Sequence, residues 1–200
     1  MGLITDVWNE SVEYRRRHYR TNVAFDTVLA VQKLYKDEEL SSYDKATAAL
    51  KMLLRCPFRI NALSPVQRME LLEEIFDKQV DDNGLNSSDS ERNRTVDFEL
   101  DGEYIYAAFL QDYGIDLIEY QGKLHWRKFL ALFQGLSDDT KIKQIMHIRA
   151  MDVPAPTKHN QEQIRKIMEL KSYYALPVNG GGGPDGLDRL FDTLERMAEK

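Results

Sequence analysis

Catalysis or metal binding in this chain would have to start from four histidines, His18, His125, His147 and His159, and a single cysteine, Cys56. Imidazole changes charge near neutrality, and a zinc site needs several such ligands at short helical or loop spacings. No two of these residues stand four apart, and neither H-E-x-x-H nor C-x-x-C occurs. His125, beside Trp126 at a helix start, reads as a packing or capping residue. His147, mid-helix near Arg149 and Asp152, reads as part of a surface pair. Cys56, just before Pro57, reads as a small buried apolar group, and being alone it can form neither an internal disulfide nor a thiolate cluster. The glycine run Gly180–Gly183 leads into Pro184-Asp185 rather than the Lys-Ser or Lys-Thr pair of a phosphate loop. Adjacent acids such as Glu73-Glu74 and Asp138-Asp139 point to different sides of a helix and cannot converge on one substrate. No catalytic residue, metal ligand or cofactor site is expected, and the chain reads as a non-enzyme.

The formal charge of the 200 residues is -6, and its location decides what it means. Asp81, Asp82, Asp89, Glu91, Asp97, Glu99, Asp101 and Glu103 face only Arg92 and Arg94 over residues 81–104, so this stretch holds the whole excess and the rest is neutral. That leaves no basic surplus to draw in nucleic acid by counterion release. Arg15-Arg16-Arg17, followed by His18, Tyr19 and Arg20, is the one basic and aromatic cluster, and it suits a solvated turn. No run approaches the ~20 apolar residues of a membrane helix, and the opening MGLITDVWNE lacks the basic-then-apolar pattern of a signal peptide. Neither a nucleic-acid nor a membrane partner is expected, and a cytoplasmic location is.

The elements follow from periodicity. Val12, Tyr14, Tyr19 and Asn22 around the arginine cluster predict a small β-hairpin. From Asn22 the spacing turns helical through Phe25, Val28, Leu29 and Leu34. A second helix is capped by Ser41 with Asp44, turns Ala46, Ala49, Leu50, Leu53 and Leu54 to one side, and is stopped by Pro57. Ser64, Pro65 and Gln67 predict a capping box opening a third helix to about Val80. Residues 81–95 read as an acidic polar linker. Helices are then expected over Asp101 to Tyr113, ended by Gly114; over Leu124 to Phe133, ended by Gly135; from a cap at Ser137 through Ile142, Ile145 and Met146; and from about Asn160 to Tyr174 through Ile164, Ile167, Met168 and Leu170. Residues 177–186 form a Gly-rich tether, and Leu187, Leu190, Phe191, Leu194 and Met197 predict a terminal amphipathic helix over 187–200. The expected fold is mainly α, about seven helices with a small N-terminal β-hairpin, in two parts: 1–80 and 96–176. Tyr104, Tyr106, Phe109, Tyr113, Trp126 and Phe129 are expected to be mostly core.

One stretch carries more than a fold class. Tyr104-Ile105-Tyr106-Ala107-Ala108-Phe109, Tyr113-Gly114-Ile115-Asp116-Leu117 and Leu124-His125-Trp126-Arg127-Lys128-Phe129 follow in order within residues 97–136. With Leu3-Ile4-Thr5-Asp6, Asn22, Phe25-Asp26 and the downstream Ile148-Arg149, they give the chain, over roughly residues 1–176, a resemblance to the bacteriophage gene-product-fifteen family of Gram-positive siphophages. The resemblance implies a tail-assembly gene beside that of the tape measure protein, and a tail assembly chaperone binding tape measure and tail tube proteins. It also leaves open a structural place in the tail or head–tail joint. The surfaces expected to meet a partner are the tethered Leu187, Leu190, Phe191 and Leu194 face and the exposed side of the Tyr104–Tyr113 helix, at Tyr104 and Gln111.

Overall fold

A computed structural model of the chain describes residues 10–37, 39–80, 95–155 and 160–176. Two strands, β1 (Ser11–Tyr14) and β2 (Arg17–Arg20), pair antiparallel, with Tyr14 opposite Arg17 and Ser11 opposite Arg20. Seven α-helices follow among the described residues: α1 (Phe25–Tyr35), α2 (Ser42–Leu53), α3 (Pro65–Ile75), α4 (Gly102–Tyr113), α5 (Trp126–Gln134), α6 (Lys141–Ala150) and α7 (Gln161–Tyr173). The chain is mainly helical with an N-terminal hairpin, as its patterning predicts.

Local chemistry accounts for most boundaries. Ser41 Oγ accepts the Asp44 N–H, and Ser64 forms a full capping box with Gln67, with Pro65 just inside the helix. α2 buries Ala46, Ala49, Leu50 and Leu53, and its two buried alanines leave room for the neighbouring helices α1 and α3. Pro57 does not simply end α2. The chain leaves the helix at Leu54, whose backbone pairs with Thr21, and Pro57 then opens a 3-10 turn over Pro57–Ala62. α3 ends at Ile75, and the expected extension to Val80 is made as a wider π turn, Phe76–Val80, that keeps Phe76 and Val80 buried. Gly114 ends α4 at φ +63°, the left-handed region that favours glycine.

Two predicted starts are shifted. α1 begins at Phe25 rather than Asn22, because Asn22 to Ala24 pair elsewhere: the Asn22 N–H donates to the Leu53 C=O, and Ala24 bridges to His125. Ser137 does not cap α6. Its N–H and Oγ donate to the Asp112 carboxylate at 2.7 and 3.1 Å, and the helix starts one turn later, after Thr140.

A single hydrophobic core runs from Val12 to Met146 and joins the segments before and after residues 81–94. Its centre is aromatic. Phe129 stacks on Phe25, Phe109 and Trp126 with centroids 5.0, 5.2 and 5.6 Å apart, and Phe98 meets Trp126, Phe129 and Phe133 at tilted or edge angles. Such pairs add to the area they bury. Of the six aromatics expected as core, Phe109, Trp126 and Phe129 are buried, Tyr106 and Tyr113 are half-buried, and Tyr104 is exposed. The difference lies in the helix face, since Tyr104 stands one position before Ile105 on the side turned to solvent. Val96 and Phe98, which precede the first predicted helix of this region, are core residues that helical periodicity does not find.

Candidate partner-binding surface

The surface is set up by the short segment 95–101. The Asp97 carboxylate accepts the N–H groups of Glu99 and Leu100 at 2.8 and 3.0 Å, and the Asp101 carboxylate accepts the Asp97 N–H at 2.9 Å. Both acids are 2% exposed, so their charge must be met inside the protein. Lys36 stands 3.4 Å from Asp97, and Arg149 takes Asp101 with both prongs of its guanidinium at 2.6 and 2.9 Å. Two members of the acidic stretch, Asp97 and Asp101, are thus buried at and just before the start of α4. Arg149 is not the surface partner of His147 or Asp152.

Arg149 also fastens the neighbouring elements. It donates to the Thr95 C=O at 2.8 Å and to the Tyr174 C=O at 2.7 Å. Lys171 of α7 returns the contact, donating to the carbonyls of Arg149 and Met151 at 2.7 and 2.6 Å, where the end of α6 leaves acceptors without helical partners. The start of α4, the end of α6 and the end of α7 are held as one unit.

This clamp gathers tyrosines around Lys141, the first residue of α6. Its ammonium lies 5.0 Å from the Tyr174 ring centroid, and the Tyr173 and Tyr174 rings meet edge to face at 4.8 Å. A side-chain hydrogen bond with Tyr174 pushes the Lys141 pKa up, burial opposes it, and Tyr174, Tyr104 and Tyr173 nearby add smaller upward contributions. From there two exposed apolar faces run outward. On α4 the outer side carries Tyr104, Leu110 and Gln111, with Leu100 just before the helix. On α7 no residue is buried: Ile164 and Ile167 are half-buried, while Met168, Leu170 and Tyr173 are 57%, 46% and 79% exposed. The face expected to pack is therefore open among the described residues. A shallow, open depression lies along it, lined by Ile164, Met168 and Tyr173 with a polar rim that includes Arg165 and Glu169.

Tyr104 and Gln111, predicted from sequence, share the outer side of α4. Leu187, Leu190, Phe191 and Leu194 lie outside the described residues, as do residues 81–94 of the linker and the tether. The clamp of Asp101, Arg149 and Lys171 was not legible in sequence, because nothing local says that an arginine in α6 meets an acid 48 positions earlier.

The residues first considered for chemistry are placed differently. His18 and His147 are exposed on β2 and α6, Cys56 is half-buried, and His159 lies outside the described residues. His125 caps α5, its Nδ1 accepting the Arg127 N–H at 3.2 Å. Burial, with Lys128 assisting and Glu10 opposing, lowers its pKa to about 4, so it stays a neutral acceptor at neutral pH. Among the described residues no three His, Cys, Asp or Glu side chains converge as a metal site, and no helix is long and apolar enough to cross a membrane.

Compared with models of known protein families, residues 4–176 match the one described as Bacteriophage Gp15 protein. No curated protein and no solved structure matches the chain.

Proposed function

The chain belongs to the bacteriophage Gp15 family, and from that premise we propose that it is a non-enzymatic tail assembly chaperone of a phage or prophage. It works in the host cytoplasm, holding the tape measure protein, the tail tube protein or both before they are joined. The observation that carries this reading is the pair of apolar faces on α4 and α7, open among the described residues and both tied to α6 through Arg149. A tape measure is a long helical chain whose apolar stripes are uncovered until tube subunits enclose it. An amphipathic helix of that kind is recognised by apolar anchors at helical spacing on a firm partner surface. Leu110, Met168 and Tyr173 are large, apolar and exposed, and Tyr104 is partly so; exposed apolar surface beyond scattered single residues marks an interaction site.

Co-expression with the tape measure protein of the same phage, followed by affinity capture, tests this. Capture by the native chain, lost on replacing Tyr104 and Met168 together by Ser, is the expected result. No capture at tens of micromolar, with normal tails after gene deletion, would sink the reading. Mass spectrometry of purified particles separates the alternative: a chaperone is missing from the finished virion, whereas a structural component of the tail or head–tail joint is found there.

A further inference from the structure

α7 is fastened at one end and uncovered along one side. The hydrogen bonds that tie it to the end of α6 fall at its last turn, where Lys171 donates to the Arg149 and Met151 carbonyls and Arg149 donates to the Tyr174 C=O. The other side holds the depression of Ile164, Met168 and Tyr173, which is lined by α7 residues alone, so nothing among the described residues lies across it. α7 has 13 residues and buries none of them, while an isolated helix of ~12–15 residues is marginal in water. The pairs Glu162–Lys166 and Arg165–Glu169 that brace it are exposed at both members and therefore weak. A helix in this position needs a cover that is always at hand.

The segment that follows α7 has the matching pattern. Residues 177–200 lie outside the described residues, and their sequence spaces Leu187, Leu190, Phe191, Leu194 and Met197 as one apolar stripe of a helix. As a helix, the stretch from Leu187 to Met197 is about 15 Å long, and α7 is about 20 Å long. The Gly-rich tether of residues 177–186 spans about 17 Å as a flexible coil, enough to turn the stripe back along α7. Seven residues line the depression, against about 20–30 a side in a stable interface between separate chains. A second copy would thus find too little surface there. A tethered segment needs far less, because a short flexible linker holds it at roughly millimolar effective concentration.

We propose that residues 187–197 of this same chain dock as a helix on the Ile164, Met168 and Tyr173 face of α7, and that a partner bound to this face displaces them. Leu190, Phe191 and Leu194 supply the apolar contact, and the terminal stripe finds its cover within its own chain. The displacement step rests on the reading of α7 as a partner surface, whereas the contact itself does not.

Hydrogen exchange read by mass spectrometry on the full chain tests the contact. The amides of α7 and of residues 187–197 are expected to be protected in the native chain. Leu190→Ser with Phe191→Ser should speed exchange in α7 by about tenfold or more while leaving α1 to α5 unchanged. The reverse change, Ile164→Ser with Met168→Ser, should do the same to residues 187–197. Arg189→Ser with Asp192→Ser, on the opposite side of the predicted terminal helix, should alter neither. Exchange in α7 that is already fast in the native chain, or unchanged by the Leu190 and Phe191 substitutions, overturns the contact. Protection of α7 that disappears when the native chain is diluted assigns the face to a second copy and overturns it as well. Displacement is read separately, by capture of the tape measure protein: the chain with Leu190→Ser and Phe191→Ser should bind about tenfold tighter than the native one, because no closed state competes. Equal or weaker capture by that variant overturns displacement. No capture by either chain, with the exchange difference intact, counts against the chaperone reading and leaves the contact standing.

Discussion

Single side chains here do structural work that their chemistry alone would not assign. His125 acts as a cap because its Nδ1 is an unprotonated acceptor, and protonation would replace that acceptor with a donor facing the Arg127 N–H. Its folded pKa of about 4 lies below the ordinary histidine value near 6.5, so the unfolded chain takes up the proton first. Its contribution to stability is thus complete above about pH 6.5 and is lost as the pH falls towards 4. Thermal melts from neutral to acidic pH check this: His125→Asn keeps a good cap and cannot titrate, so its midpoint is expected to fall less than that of the native chain over this window. Parallel curves would show that His125 does not titrate in the transition. Arg149 makes a stronger case. Removing it, as in Arg149→Met, leaves Asp101 charged and buried, and a loss of about 3–5 kcal/mol is expected in urea unfolding. Changing Asp101→Leu as well should recover part of that loss, because what costs most is the unpaired buried charge.

Elements show how far local rules reach. The capping box at Ser64, the cap at Ser41 and the left-handed Gly114 were all legible, since each is written within four residues. A Cβ on Gly114 would meet no atom within 4 Å, so Gly114→Ala should cost about 1–2 kcal/mol through backbone strain alone, read as a shift in denaturation midpoint with an unchanged slope. Ser137 has the side chain of a helix cap, but Asp112, 25 positions earlier, holds it, and α6 starts after Thr140 instead. The π turn at Phe76–Val80 has no mark in apolar spacing, because Phe76 and Val80 stay buried whether the turn is α or π.

At the scale of the molecule the question is which apolar residues hold the fold and which are left for a partner. Met168→Ser and Tyr173→Ser are each expected to change unfolding stability by less than about 0.5 kcal/mol, as substitutions of exposed side chains do, while weakening capture of a tape measure protein. Phe98→Ala, by contrast, is expected to cost about 3–5 kcal/mol, because its ring meets Trp126, Phe129 and Phe133 in the core; urea denaturation distinguishes the two classes. By itself the sequence determined the mainly helical class, the hairpin, most helix boundaries, the family resemblance and the lack of converging ligand motifs, all of which rest on residue types at short spacings. Only the tertiary structure decided that Asp97 and Asp101 are buried acids, that Arg149 fastens α4, α6 and α7, and that the face of α7 is open among the described residues. Hydrophobic periodicity says that a face wants burial, whereas what covers it depends on residues brought together from far along the chain.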